Sequence, residues 1–172
     1  MRNILGVLIV MSCSFAHSDG IEESVFLGNR LTEAVKSESH IKLKTLDNYK
    51  ELKAYIKRNK CSGFKYRAYS LPDRNKFYLV ASKGKSVIVG RHFVGDIVEN
   101  SVDIGTLTSS TNGCINLGST KKNAAAMFVT HLKPEPNEFH VLESNLAKIA
   151  LYVSTKGTLF SVSEGGITTV EK

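Results

Sequence analysis

The spacing of hydrophobic positions predicts helices in the first third of the chain. Over residues 20–36, apolar side chains recur every three or four positions, as on one face of a helix. A second apolar stripe runs from Leu46 to Ile56, and Thr45 stands where an N-cap is preferred. We therefore expect two amphipathic helices before the first strand.

The middle of the chain changes to strand-like patterning. Residues 64–68, 77–81 and 87–93 are rich in β-branched and aromatic residues, and turn-forming sequences separate them. Such short connections predict an antiparallel meander. The stretch from Val94 to Gly113 ends in Ser, Thr, Asn and Gly, and we expect it to be an irregular, exposed loop that could carry function.

The last third predicts one more helix and further strands. Residues 123–132 contain an alanine run with strong helix propensity. Strands are predicted after it, at residues 139–143, 149–154, 158–162 and 167–170. The whole pattern predicts an α+β fold in a single domain, with antiparallel β meanders and two or three helices packed on one face.

The first eighteen residues have the features of an export signal. Arg2 precedes an apolar run, and small residues near Ala16 suit a signal peptidase. We expect residues 1–18 to be cleaved, leaving residues 19–172 as one domain in the periplasm or outside the cell. An alternative is a lipoprotein attached through Cys13. No later run is long enough to span a bilayer, so no transmembrane segment is expected in the mature chain.

Export gives the cysteines a predicted role. Only Cys61 and Cys114 follow the signal, and cysteines in an oxidising compartment tend to pair. We expect a Cys61–Cys114 disulfide, which on the chain-entropy model stabilises the fold by about 4 kcal/mol.

Positive charge is concentrated in the middle third. Residues 36–91 carry fifteen basic and four acidic residues, whereas both flanks are net acidic. This excess favours an anionic partner, such as an acidic protein or an anionic envelope component, and export makes nucleic acid an unexpected one. A solvated, lysine-rich surface without a partner is the alternative. The candidate binding residues are Lys50, Lys53, Lys57 and Arg58 on the second helix, with Tyr66 and Tyr78 on adjacent predicted strands.

One short motif suggests catalysis instead. The run from Thr111 to Leu117 resembles the active-site motif of L,D-transpeptidases, cell-wall enzymes with a cysteine nucleophile. The resemblance implies that Cys114 is the nucleophile and that His92 activates it. Asn112 and Asn116 stand where the family has histidine and arginine.

Other site chemistry is not indicated. The histidines lack the spacing of metal ligands, so neither a metal nor a cofactor is expected. His131, at a predicted helix end, and His140, on a predicted strand beside Glu138, are expected to have structural roles.

Three functional hypotheses remain. The favoured one is an exported, non-catalytic binding protein, for example an inhibitor or immunity protein that recognises an acidic partner through the basic segment. The second is a cell-wall enzyme that uses Cys114. The third is a small-ligand carrier, for which we expect a closed cavity lined by Phe and Tyr with few charges.

Overall fold

The computed structural model describes residues 18–119 and 124–170, and three α-helices in this part pack against three β-sheets. The predicted cleavage region and Cys13 precede residue 18 and lie outside the described residues. The helices are α1 (Ser18–Lys36), α2 (Tyr49–Asn59) and α3 (Glu138–Ala147). The strands are β1 (Lys65–Leu71), β2 (Lys76–Ser82), β3 (Ser86–Ile88), β4 (Phe93–Val98), β5 (Ser101–Val102), β6 (Thr108–Ser109), β7 (Asn116–Ser119), β8 (Ala126–Thr130), β9 (Ala150–Ser154), β10 (Leu159–Ser163) and β11 (Gly166–Thr169).

The largest sheet is antiparallel, as predicted, and helices cover both of its faces. Its strands are β1, β2, β4, β5 and β6. Tyr69 on β1 belongs to a core shared with α1 and α3, whereas its neighbour Ala68 faces the core that contains Leu52 of α2. Side chains alternate along a strand, so consecutive residues of β1 pack into two different hydrophobic cores, one on each face of the sheet. Two helices therefore share one face, and α2 lies on the other.

The second sheet has the order β11, β10, β9, β8. The pairs β9–β10 and β10–β11 are antiparallel, and β8 pairs with β9 in parallel. A parallel pair needs a crossover connection, and α3 supplies it between β8 and β9. The third sheet contains β3 and β7.

The helix predicted at residues 123–132 is wrong for its described part. Ala126–Thr130 forms β8, with Val129 opposite Val153 of β9. Alanine propensity favours a helix here, but pairing along β9 and burial of Val129 decide the outcome. Asn123 lies outside the described residues.

The strand predicted at residues 139–143 is also wrong, because this segment forms α3. Asn137 caps the helix: its side chain accepts a hydrogen bond from Phe139 N–H, and His140 Nδ1 accepts one from Asn137 N–H. These bonds satisfy donors that the first helical turn leaves unpaired. His140 therefore caps a helix instead of lying on a strand, and His131 follows a strand instead of ending a helix.

Three further boundaries differ from prediction. The strand predicted at residues 87–93 is interrupted before β4, where Arg91 has a φ of 61°. The stretch from Val94 to Gly113 is not an exposed loop throughout, because it contains most of β4 together with β5 and β6, and it buries Val102 and Leu107. At α2, Asn48 is the N-cap residue, and the predicted cap Thr45 ends a short 3₁₀ turn instead.

Candidate functional site

The basic residues of α2 form one exposed surface, as the helical pattern predicts. Lys50, Lys53, Lys57 and Arg58 are all exposed, and we call them the basic surface. Spacings of three and four residues place Lys50, Lys53 and Lys57 on neighbouring turns of one side. The opposite side of α2 is held in the core by Leu52, which is fully buried.

The four cations form no ion pair with any described residue. Elsewhere, basic residues do have acidic partners: Lys76 Nζ lies 2.8 Å from Asp96 Oδ1, and Arg30 and Arg74 lie within 4 Å of Asp73 and Glu23. Lys53 instead places its ammonium group 5.6 Å from the centre of the Tyr49 ring. The cations of the basic surface thus have no close acidic partner within the described part of the chain, although α2 also carries the exposed carboxylate of Glu51.

The frame beneath the basic surface is fixed at three points. At the start of α2, Asn48 Nδ2 donates to Val102 O at 2.6 Å, and Val102 N–H donates to Asn48 Oδ1 at 3.1 Å. In the middle, Tyr55 O–H donates to Leu107 O at 3.1 Å. After its end, Cys61 is joined to Cys114. The cations therefore extend from a helix whose position is set from both ends.

The predicted disulfide is confirmed. Cys61 and Cys114 are bonded, with Cα atoms 5.8 Å apart. Cys61 is buried and Cys114 is exposed. The bond fits an oxidising, extracellular type of compartment.

The two candidate tyrosines do not extend the basic surface. Tyr78 is fully buried against Phe139, so it cannot contact a partner, and that expectation is wrong. Tyr66 is half-buried, and its hydroxyl accepts from Cys61 N–H at 3.1 Å and donates to Arg91 O at 3.2 Å. Tyr66 therefore links the segment after α2 to the backbone at Arg91.

The residues of the transpeptidase-like motif are not arranged for nucleophilic attack. Cys114 Sγ is engaged in the disulfide and is therefore not a thiolate. His92 is fully buried, and both ring nitrogens are used: Nδ1 accepts from Ala81 N–H at 3.1 Å, and Nε2 donates to Ile88 O at 2.6 Å. This bonding fixes a neutral imidazole, and burial lowers the pKa of His92 to about 4.

The other buried histidines form a pair without a metal-binding cluster. His131 and His140 have ring centroids 4.7 Å apart, and burial lowers the pKa of both. Among residues 18–119 and 124–170, no group of three or more His, Cys, Asp or Glu side chains is placed to hold a metal ion.

One further polar site, at Glu143, was not predicted from the sequence. This residue of α3 lines an open cavity of about 400 Å³ between the β1–β3 segment and the two helices of that face. Its Oε2 accepts from Ile88 N–H at 2.9 Å, while Oε1 lies 3.8 Å from His92 Nε2. Burial raises the pKa of Glu143 to about 8. A helical interpretation of residues 138–147 would have revealed this burial, because it places Glu143 one turn after Phe139.

This cavity is not the one expected for an apolar ligand carrier. Among the described residues that line it, Tyr69 is the one aromatic, and Arg67 and Lys85 line it together with Glu143. A ligand that fits here must therefore interact with charged and polar groups.

Comparison of the chain with protein-family models, with curated proteins and with solved structures found no match. In the part of the chain that the structure describes, no helix has both the length and the apolar character required to cross a bilayer.

Proposed function

We propose that this is an exported, non-catalytic binding protein that recognises an acidic protein through the basic surface of α2. An inhibitor or immunity protein that blocks a toxin or a cell-wall enzyme is one concrete form of this function. The observation that carries the proposal is the set of four exposed cations on one fixed helix, with no acidic partner among the described residues.

Unpaired charge on a fixed frame suits protein recognition. Cations that are neutralised within their own chain contribute little field, whereas unpaired ones steer an anionic partner and raise its association rate. The Asn48 and disulfide contacts hold α2 in place before binding, which lowers the entropy lost on association.

The surface chemistry favours an acidic protein over an anionic membrane. A helix that binds a membrane inserts an exposed apolar face beside its cations. The apolar stripe of α2 packs in the core instead, around Leu52. The large apolar side chains that are exposed in the described chain all lie outside α2: Phe26, Val98, Phe128, Leu132 and Leu146.

Export is the part of the proposal that rests on the sequence. The signal-like start predicts it, and the disulfide is compatible with it. Expression of the full chain with a C-terminal tag, followed by fractionation and intact-mass measurement, tests it. Loss of the first 16 to 18 residues in the exported fraction would support export, and a full-length protein in the cytosol would contradict it.

Binding is tested with fluorescently labelled poly-L-glutamate as the acidic polypeptide and with vesicles of phosphatidylglycerol and phosphatidylcholine. The variant Lys50→Gln/Lys53→Gln/Lys57→Gln/Arg58→Gln removes the basic surface. The control Lys36→Gln/Lys133→Gln/Lys148→Gln/Lys156→Gln removes the same net charge from exposed positions outside α2.

We expect the α2 variant to weaken polyglutamate binding by about tenfold or more, since four exposed charge pairs contribute about 0.2–1 kcal/mol each. The control should stay within about threefold of the wild type, and vesicles should not bind. Equal losses in the two variants would refute the basic surface as the recognition site. Vesicle binding that requires α2 would replace the protein partner with a membrane.

A further inference from the structure

The cavity beside Glu143 lies on the face of the large sheet opposite α2. Its walls come from β1, β2, the β2–β3 turn, β3 and the ends of α1 and α3. A volume of about 400 Å³ falls within the range of small-molecule sites in proteins. The cavity is therefore large enough for a small organic molecule and is separate from the basic surface.

The lining of this cavity combines one buried carboxyl group with exposed cations and apolar side chains. Glu143 is 5% exposed and forms the buried polar part. Arg67 and Lys85 line the cavity from exposed positions, and neither has an ion-pair partner among the described residues. Apolar walls come from Val35, Val80, Val87 and Leu146.

Glu143 has unused hydrogen-bonding capacity. Ile88 N–H donates to Oε2. No described residue lies within hydrogen-bond distance of Oε1: His92 Nε2 is 3.8 Å away and donates to Ile88 O instead. Burial raises the pKa of this carboxyl to about 8, so at neutral pH it carries a proton that it can donate. Glu143 lines the open cavity, so an acceptor atom of a ligand bound there would receive this hydrogen bond.

We propose that this cavity binds a small amphipathic organic anion. The acidic group of the ligand would bind Arg67 and Lys85, its apolar body would contact the valine and leucine walls, and an acceptor atom would receive the Glu143 hydrogen bond. This site does not depend on the acidic protein partner, because it lies on the other face of the sheet.

The probe for this proposal is 8-anilino-1-naphthalenesulfonate, an amphipathic anion whose fluorescence rises in apolar surroundings. The test variant is Arg67→Gln/Lys85→Gln. The matched control is Lys65→Gln/Lys83→Gln, which changes the same net charge on the same strand and turn at residues that do not line the cavity. All four positions are exposed, so folding should be preserved, and circular dichroism checks this.

We expect the Arg67/Lys85 variant to weaken probe binding by about tenfold or more, and the control to change it by less than about threefold. The α2 variant lacking Lys50, Lys53, Lys57 and Arg58 should bind the probe as the wild type does. Absence of probe binding by the folded wild type, or equal losses in the Arg67/Lys85 and control variants, would overturn the proposal.

The pH dependence of probe affinity gives a second test, which concerns Glu143. The charged side chains that line the cavity with Glu143 are Arg67 of β1 and Lys85 of the β2–β3 turn, and the neutral ring of His92 lies on the buried side. Probe affinity should fall from pH 7 to pH 9 as Glu143 loses its proton and repels the sulfonate. Glu143→Gln should remove this fall, and a fall that persists unchanged in that variant would overturn the role of Glu143.

Discussion

Glu143 Oε1 lies 3.8 Å from His92 Nε2, yet the two residues do not form a salt bridge at neutral pH. Burial raises the pKa of Glu143 to about 8 and lowers the pKa of His92 to about 4. Between these values, the carboxyl is protonated and the imidazole is neutral. Ile88 holds both groups, donating to Glu143 through its N–H and accepting from His92 through its carbonyl.

This pair predicts how stability changes with pH. From pH 4.5 to about 8, folded Glu143 keeps a proton that the unfolded chain releases, so this group lowers the free energy of unfolding as pH rises. Below pH 6.5, His92 and His140 raise the free energy of unfolding as pH rises. The reason is that the unfolded chain binds protons that these buried rings do not bind.

We therefore expect maximal stability near pH 6.5 and a decline from there to about pH 8, by at most about 1.4 kcal/mol per pH unit. Glu143→Gln should reduce the alkaline decline and keep the acid one, and Glu138, whose pKa burial also raises, contributes in the same direction in both proteins. Urea denaturation at three pH values measures both. The same alkaline decline in wild type and variant would contradict the assignment to Glu143.

The disulfide should be a main contributor to stability. Cys61→Ala/Cys114→Ala is expected to lower the free energy of unfolding by about 2–5 kcal/mol, since the unfolded chain regains the freedom that the 61–114 loop had lost. Wild-type protein unfolded in the presence of a reductant is the matched comparison and should lose a similar amount. Unchanged urea midpoints in both samples would show that the disulfide contributes nothing to the free energy of unfolding.

Asn48 is expected to be the residue that anchors the start of α2. Asn48→Ala leaves the N–H and the carbonyl of Val102 without their partner, in a residue that is 1% exposed. The expected loss is about 1–3 kcal/mol for each buried group left unsatisfied. Asn59→Ala is the control, because Asn59 Nδ2 donates only to Tyr55 O within α2. Equal losses from the two changes in urea denaturation would refute the anchoring role.

Gly28 should be intolerant of a side chain, although it lies inside α1. A Cβ atom there would lie 2.5 Å from Val141 Cβ and 2.8 Å from Glu138 O of α3. Alanine is normally the better helix former, so an isolated α1 peptide would gain helicity from Gly28→Ala. In the folded protein the contact should force the helices apart at a cost of about 1–3 kcal/mol. A melting temperature equal to or above that of the wild type would contradict the close approach of α1 and α3.

Short-range patterns predicted the elements whose environment is local. The stripe around Leu52 predicts both the helix α2 and the exposure of its lysines, because burial on one face follows from spacing alone. The disulfide follows from compartment and count, with a single pairing available.

The segment from β8 to α3 could not be assigned from the same patterns. Val129 is in a strand because β9 lies beside it, and this contact depends on residues more than twenty positions later. In α3 the six consecutive residues from Phe139 to Ser144 are all buried, so no polar face marks a helical period over that stretch. The one local signal is Asn137, an N-cap residue followed by Glu138 in the first turn.

The central claim is that an acidic partner binds α2, and amide chemical-shift mapping tests it most directly. ¹⁵N-labelled protein titrated with poly-L-glutamate should show its largest shift changes at residues 49–60, with little change at residues 150–170. Saturable changes confined to residues outside α2, or changes spread evenly over every exposed lysine, would contradict the account.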